Sequence, residues 1–313
     1  SLYGFYRICD DIVDNNNSYK QKEKELHLII SQFMHCFNQK EGLYHLNPIF
    51  PSLIKTINKY DFPISLFEKF FISMNIDIYK VVCIDTNDLY DYIEGSAAVI
   101  GEFMVPILMT TNTPDDKLKA TVYARDLGIA FQLTNMIRDV KEDLLLDRQY
   151  IPVDLCEVYD IIINEDIEDD EDVETITEEE FKDFSDKNKE NIRQLCNDFF
   201  KIINIHYESA KKGLKYLPYP NNKLILFALK SYHKIHDKII EENYPIFERR
   251  VKVSFFEKIK LATDIIDKQS LFKIVIISIY ANILDFMVDN FFKLAIIYSF
   301  LMTNIFTLNN ASY

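Results

Sequence analysis

Tryptophan is absent from this chain, and glycine and proline are scarce, six and nine among 313 residues. With so few backbone breakers, and most prolines lying between long uninterrupted stretches, the sequence favours long helices over a strand-and-turn fold. Basic residues are outnumbered, 35 Lys and Arg against 49 Asp and Glu, and the net charge of −14 would repel nucleic acid. No basic stripe is large enough to overcome that field, so nucleic acid is excluded as a partner. Cysteine is limited to Cys9, Cys36, Cys83, Cys156 and Cys196, odd in number and never in C-x-x-C spacing. That pattern offers neither a disulfide framework nor a thiolate zinc site and reads as buried, reduced thiols. The histidines give no H-E-x-x-H, and His233 and His236, three apart on one helical face, have no acidic partner at metal-site spacing, so both read as structural. The uncharged, mostly apolar stretch from Leu294 to Leu308, about fifteen residues, is below the roughly twenty that a spanning helix needs. It reads as a terminal core helix or a membrane-surface anchor.

A hydrophobic content of 48% is enough to bury a substantial core. Apolar residues recur at steps of three and four through 1–14, 20–37, 48–59, 64–79, 86–110, 115–145, 187–217 and 222–242, and convincing strand alternation is missing. The expectation is an all-α, single-domain protein with a catalytic region over 1–261 and an apolar helical tail over 262–313. Pro114 with Asp115 and Asp116 makes a good helix start, because a proline and acids in the first turn suit the free amides and the dipole. That helix is expected to run to about Leu145. The acidic stretch from Asn164 to Glu180 reads as a solvated loop, since runs of like charge repel and extend. A helical pattern is already under way at Leu2, which reads as a start inside a longer protein and leaves any targeting segment out of view.

Two constellations carry chemistry. In Tyr6-Arg-Ile-Cys-Asp-Asp-Ile-Val-Asp14, helical spacing puts Arg7, Asp10 and Asp14 on one face. In Ala130-Phe-Gln-Leu-Thr-Asn-Met-Ile-Arg-Asp-Val-Lys-Glu-Asp143, the same spacing aligns Gln132, Asn135, Asp139 and Asp143 as a polar stripe on an otherwise apolar helix, with Arg138 beside it. A lone D-x-x-x-D is commonly a solvated helix face. Two of them, each next to an arginine and set in apolar helices, call for a cation between the carboxylates. Hard Mg²⁺, with Mn²⁺ as an alternative, takes carboxylate oxygens and completes its shell with water and phosphate. There is no phosphate-binding G-x-x-x-x-G-K-[ST] loop and no G-x-G-x-x-G after a strand. What remains is metal-assisted departure of diphosphate from an organic group, whose carbocation would need a dry pocket and aromatic walls such as Tyr3, Tyr92 and Phe131. Between the acid pairs, Gly95-Ser-Ala-Ala-Val-Ile-Gly101 is either a close helix-packing surface or a groove floor that makes room for a long apolar chain.

Asp10-Asp-Ile-Val-Asp14, Gly95 to Gly101 and Gln132 to Asp143, in that order, resemble the phytoene/squalene synthase family of head-to-head prenyl synthases, most of all the bacterial-type phytoene synthases. The later runs Tyr232 to Glu241 and Tyr244 to Ser254 are similar as well, so the likeness covers roughly 2–261. The resemblance implies an isoprenoid synthase fold with helices around a central apolar cavity, and the aspartate pairs facing across its mouth. It implies Mg²⁺ on Asp10, Asp14, Asp139 and Asp143, and two prenyl diphosphates joined through a cyclopropylcarbinyl diphosphate. It also implies diphosphate-site roles for Tyr3, Arg7, Gln132, Asn135, Arg138, Arg148, Tyr232 and Arg249. Tyr92, Gly95 and Gly101 would border the hydrocarbon channel, and 144–150 would form a flexible lid that excludes water. The small-residue segment and Gln132-Leu-Thr-Asn135 look more like phytoene than squalene synthases, which favours two C20 geranylgeranyl diphosphates and no NADPH, with C15 substrates as the alternative. A non-catalytic interaction protein on the same fold is the alternative of another class. Apolar substrate and product suggest peripheral membrane contact, with the compartment open between cytoplasm, membrane surface and plastid and with protein partners unassigned. The sequence departs from the family pattern in three places: the upstream Ser-Phe helix is lacking, His233 follows Tyr232 where arginine is usual, and the apolar tail has no counterpart.

Overall fold

The computed structural model describes residues 1–79, 81–109, 113–161 and 178–265. The core of the acidic stretch and all of the apolar tail beyond Ile265 lie outside the described residues. As expected, the fold is all-α, and the described strands are the two-residue pieces Val81–Val82 (β1) and Arg148–Gln149 (β2), paired in parallel. The chain divides into two compact units, one of 1–15, 24–61 and 255–313, the other of 16–23 and 62–254.

In the first unit, α1 (Leu2–Val13) buries Leu2, Phe5, Tyr6, Cys9 and Val13, the spacing of a one-faced amphipathic helix. α2 (Tyr19–Gln39) offers Leu26, Ile29, Phe33 and Cys36, and α3 (Phe50–Tyr60) offers Phe50, Leu53, Ile54 and Ile57. Phe5 joins the three helices, its ring centroid 4.9 Å from that of Phe33 and 6.3 Å from that of Phe50. Pro51 in its first turn starts α3, and Asp61 in the left-handed region at φ 51° ends it.

The second unit opens with α4 (Ile64–Ile76) and is organised around a central helix. The stretch 86–110, expected as one helix, is α5 (Thr86–Ile93) and α6 (Val99–Leu108) joined by a π-helical turn over Glu94–Ala98. A reciprocal cap starts α5, the Asp85 carboxylate accepting from the amides of Asn87 and Asp88. The widened turn falls on the small residues because neighbouring backbones press in there. A Cβ on Gly95 would lie 2.0 Å from the Lys69 carbonyl oxygen, one on Gly101 2.0 Å from that of Ala124, and one on Gly128 2.3 Å from that of Ala97. The close-packing reading of this segment is therefore realised, and such π-turns recur near functional sites.

α7 (Pro114–Arg138) begins as expected, with Thr113 accepting from the amide of Asp116 at 3.3 Å. It packs against α6, α11 (Lys189–Gly213) and α12 (Asn221–Glu241). It does not run to Leu145. The backbone leaves the helical region at Asp139 (φ −107°, ψ 16°) and resumes as the short α8 (Val140–Leu144). The break falls where the Asp139 carboxylate is taken by a guanidinium on either side, an arrangement that helix periodicity alone does not announce.

Candidate active site

The first aspartate pair lies on the last turns of α1. Asp10 is half-buried and Asp14 is exposed, and the Asp14 amide donates to the Asp10 carbonyl at 2.9 Å. Arg7 does not reach along the face expected from spacing but pairs with Asp11 at 2.5 Å, four residues on. This pair is well exposed, so it contributes under about 1 kcal/mol and is readily exchanged for a stronger anion. The Tyr3 phenol is held above its ordinary pKa first by burial, with Arg7 pulling it down and the charges of Asp10 and Asp11 pushing it up. Tyr3, Arg7, Asp10 and Asp11 thus share one electrostatic neighbourhood, as the motif requires.

The second constellation is better defined. On α7, Phe131, Leu133, Thr134, Met136, Ile137 and Arg138 are buried, while Gln132, Asn135 and Asp139 are partly open. The stripe inferred from spacing is therefore the opening in the otherwise buried last turns of α7. Arg138, 3% exposed at its side chain, donates from Nε and Nη2 to the two carboxylate oxygens of Asp139, each at 2.6 Å. Arg250 approaches the same carboxylate, its Nε 2.8 Å from Oδ1 and its Nη2 3.2 Å from Oδ2. A carboxylate has about four lone-pair sites, and three hydrogen bonds plus the Arg250 Nε contact occupy both oxygens of Asp139.

One turn further, Asp143 is half-buried and its carboxyl is pushed up to about 8, by burial first and then by the charge of Asp139. Glu142 adds to the rise, and Arg148 and Arg138 oppose it. Asn135 Oδ1 and Glu142 Oε2 are buried with no hydrogen-bond partner. A carboxyl forced toward neutrality by burial and a neighbouring like charge, and oxygens left without partners on the same elements, are the donor chemistry that a hard cation satisfies. No group of three or more His, Cys, Asp or Glu able to hold a metal occurs among the described residues. Mg²⁺ does not require one, because it uses one or two carboxylates and fills its shell with water and phosphate. The residues present therefore fit Mg²⁺, provided that Asp139 gives up part of an arginine fork when it joins.

Arg249, expected at the diphosphate, instead pairs with Glu242 at 2.7 Å and is 57% exposed at its side chain. Its neighbour Arg250, not singled out from the sequence, reaches Asp139. The turn carrying Arg250 is anchored by the buried Lys141, whose Nζ donates to the Glu248 carbonyl at 3.0 Å, and by Ser185, which donates to the Glu248 carboxylate at 2.8 Å. Tyr232 is fully buried, stacked on Phe131 at 4.2 Å between centroids. His233 bonds Asn204 at 2.9 Å, and His236 joins Tyr207 on the Thr134 hydroxyl at 3.0 and 2.9 Å, the structural roles expected of both histidines. Cys9, Cys36, Cys83, Cys156 and Cys196 are free and buried, as expected.

The segment 144–150 is not loose at its far end. β2 pairs with β1 in the register Val81 to Arg148 and Val82 to Gln149, and the Cys83 amide donates to the Gln149 carbonyl at 2.9 Å. Tyr92, expected on the channel, is 5% exposed, and its hydroxyl is engaged by Asp77 and Tyr150. Asp77, joined to Tyr92 and Tyr150, and Arg250, joined to Asp139, were not singled out from the sequence.

Residues 1–257 match the squalene/phytoene synthase family model. The chain belongs to the squalene/phytoene synthase family. A chloroplastic phytoene synthase 2 of Oryza sativa subsp. japonica is 27% identical over 83% of this chain and 60% of its own length. A 15-cis-phytoene synthase of Enterobacter agglomerans is 26% identical over 83% of this chain and 82% of its own. The chain thus spans about three fifths of the length of some plant relatives it matches. Among solved structures, a dehydrosqualene synthase superposes with a TM-score of 0.66 at 20% identity, covering 87% of this chain and 85% of the other. A squalene synthase of Alicyclobacillus acidocaldarius gives 0.62 at 17% identity, covering 78% and 82%. These structures support the all-α isoprenoid synthase fold expected from the family motifs.

Proposed function

We propose that this family member is a Mg²⁺-dependent prenyltransferase that joins two geranylgeranyl diphosphates head to head to give phytoene. The observation that carries the reading is the partly open line Gln132, Asn135, Asp139 and Asp143, running from the buried last turns of α7 across the break into α8, with two guanidinium groups gathered on one carboxylate. Such a cluster holds positive charge in reserve for an incoming diphosphate. The pairs Asp10 with Asp14 and Asp139 with Asp143 would hold the metal. Bound Mg²⁺ supplies the charge that makes diphosphate a competent leaving group. Arg138, Arg250 and Arg7 bind the phosphate oxygens, each trading a carboxylate partner for a phosphate. Loss of the first diphosphate and one proton gives a cyclopropylcarbinyl diphosphate. Loss of the second diphosphate, rearrangement and loss of another proton give the linear hydrocarbon. Because the last step is proton loss, no NADPH is consumed. The aromatic and apolar side chains keep water from the cations, and so apolar a product argues for work at a membrane surface. Among the described residues, no helix is long and apolar enough to cross one.

The test is product identification. Purified protein incubated with Mg²⁺ and geranylgeranyl diphosphate, without NADPH, should yield a C40 hydrocarbon identified by mass and ultraviolet spectrum. A C30 hydrocarbon formed only from farnesyl diphosphate would move the assignment to dehydrosqualene synthesis. No turnover of either substrate would favour a non-catalytic interaction role.

A further inference from the structure

Lys69 and Ser73 of α4 and Asp77, which caps its C-terminus, each four apart, form a polar line that holds the segment leading to the small-residue turn. Lys69 Nζ lies 2.7 Å from the Glu94 carboxylate, and the Ser73 hydroxyl, buried, donates to the Tyr92 carbonyl at 2.9 Å. Asp77, 6% exposed, accepts from the Tyr92 hydroxyl at 3.2 Å and from the Tyr150 hydroxyl at 3.3 Å, one on each carboxylate oxygen. The two phenol oxygens are 3.2 Å apart and the rings 4.9 Å. Arg148 closes the figure by donating from Nη2 to the Asp77 backbone carbonyl at 3.3 Å. Lys69 and Ser73 therefore grip α5 and the π-turn, whereas Asp77 alone reaches across to the strap 144–150.

That strap is held at its end by the β1 pairing, with the Val81 and Cys83 amides donating to the Asp147 and Gln149 carbonyls at 3.2 and 2.9 Å, and by the Asp77 cluster. Leu145 and Leu146 are 43% and 59% exposed, Asp147 is in the left-handed region at φ 55°, and β2 is only two residues long. Yet it carries Arg148, whose charge acts on both Asp143 and Tyr150. A guanidinium on a two-residue strand is placed no better than whatever fixes that strand. Beside the β1 pairing, a fixing group here is a buried carboxylate satisfied by two phenols that burial and the charge of Asp77 keep protonated.

We propose that Asp77 is a positioning residue of the reaction: through Tyr92 and Tyr150 it locks the end of the strap 144–150 and so aims Arg148 at the diphosphate beside Asp143. Resting on the function proposed above, this adds a residue that touches neither substrate nor metal. It acts on binding through Arg148, so its loss should resemble loss of Arg148 rather than a general loosening of the fold. Tyr150→Phe, which removes one hydroxyl and keeps the ring, is the mild version of the same lesion.

Two measurements test this. The first requires no turnover: hydrogen–deuterium exchange of peptides covering 81–84 and 144–154. Exchange there should rise at least about tenfold in Asp77→Ala, and less in Tyr150→Phe, with the α11 core unchanged. Unchanged exchange in both variants would overturn the proposal. The second is a double-mutant cycle on kcat/KM. Asp77→Ala and Arg148→Ala should each raise KM more than they lower kcat, and the double variant should lose no more than about threefold beyond the worse single one. Losses that multiply would show that Asp77 acts without Arg148 and would overturn its positioning role. Should Asp77→Ala fail to fold, Tyr150→Phe takes its place in the cycle. If the wild type turns over no prenyl diphosphate, the functional reading fails, while the exchange result still decides whether Asp77 holds the strap.

Discussion

Replacing Asp139 by asparagine should do two things that replacing Asp143 should not do together. Asp139 accepts three charge-assisted hydrogen bonds from Arg138 and Arg250, with the Arg250 Nε a further ionic contact at 2.8 Å, and the Arg138 side chain is only 3% exposed. Asparagine keeps one acceptor oxygen and adds an amide that repels guanidinium donors, so a buried positive charge is left without its counter-ion. Removing one partner of a buried pair costs about 3–5 kcal/mol. Asp139 itself is 17% exposed, so water offsets part of that, and we expect a loss of about 2–4 kcal/mol. At pH 6 the Asp143 carboxyl, pushed up to about 8, is largely protonated. A neutral amide of nearly the same shape then replaces a neutral acid at a cost below about 1 kcal/mol. Turnover should nevertheless fall at least about a hundredfold in both, because each removes a carboxylate oxygen that the bound cation would draw on in diphosphate departure. The assay is urea unfolding followed by circular dichroism at pH 6 in EDTA, paired with hydrocarbon formation in Mg²⁺. Equal stability of the two variants within about 0.5 kcal/mol, or a larger loss in Asp143→Asn, would refute the reasoning about ion pairing and burial.

Two further outcomes follow from neighbouring groups. Arg250→Ala should lose at least about tenfold more kcat/KM than Arg249→Ala, because only Arg250 is gathered on Asp139 while Arg249 sits exposed on Glu242; steady-state kinetics of the two variants decide it. Burial pushes the His236 imidazole down to about 3, so between its ordinary 6.5 and 3 the unfolded chain binds a proton that the folded one refuses. Stability from this residue is therefore complete above pH 6.5 and lost as pH falls, by up to about 2 kcal/mol at pH 5. Denaturant unfolding of the wild type and His236→Gln at pH 7 and pH 5 should show a smaller decline in the variant.

How much was legible in the sequence depended on whether a feature was periodic. The long helices and the stripe from Gln132 to Asp143 follow from steps of three and four, and their burial pattern on α7 matches that reading. The break at Asp139 and the π-turn at Glu94–Ala98 are not periodic. They arise where arginines from separate elements converge on one carboxylate and where the backbones of α4 and α7 meet Gly95 and Gly101. Arg249 and Arg250 lie in a turn with no repeat to say which one points to the site, and only the Lys141–Glu248 anchor decides it. The line Lys69, Ser73 and Asp77 was available as a four-residue repeat. It was hidden because a mixed polar stripe on an apolar helix looks like an ordinary solvated face until its partners are seen.

Head-to-head coupling is the central claim, and the stoichiometry of diphosphate release tests it most directly. With geranylgeranyl diphosphate and Mg²⁺, the account predicts two diphosphates released for each C40 hydrocarbon formed. One diphosphate released per C20 product, or a longer product that keeps a diphosphate, would contradict it.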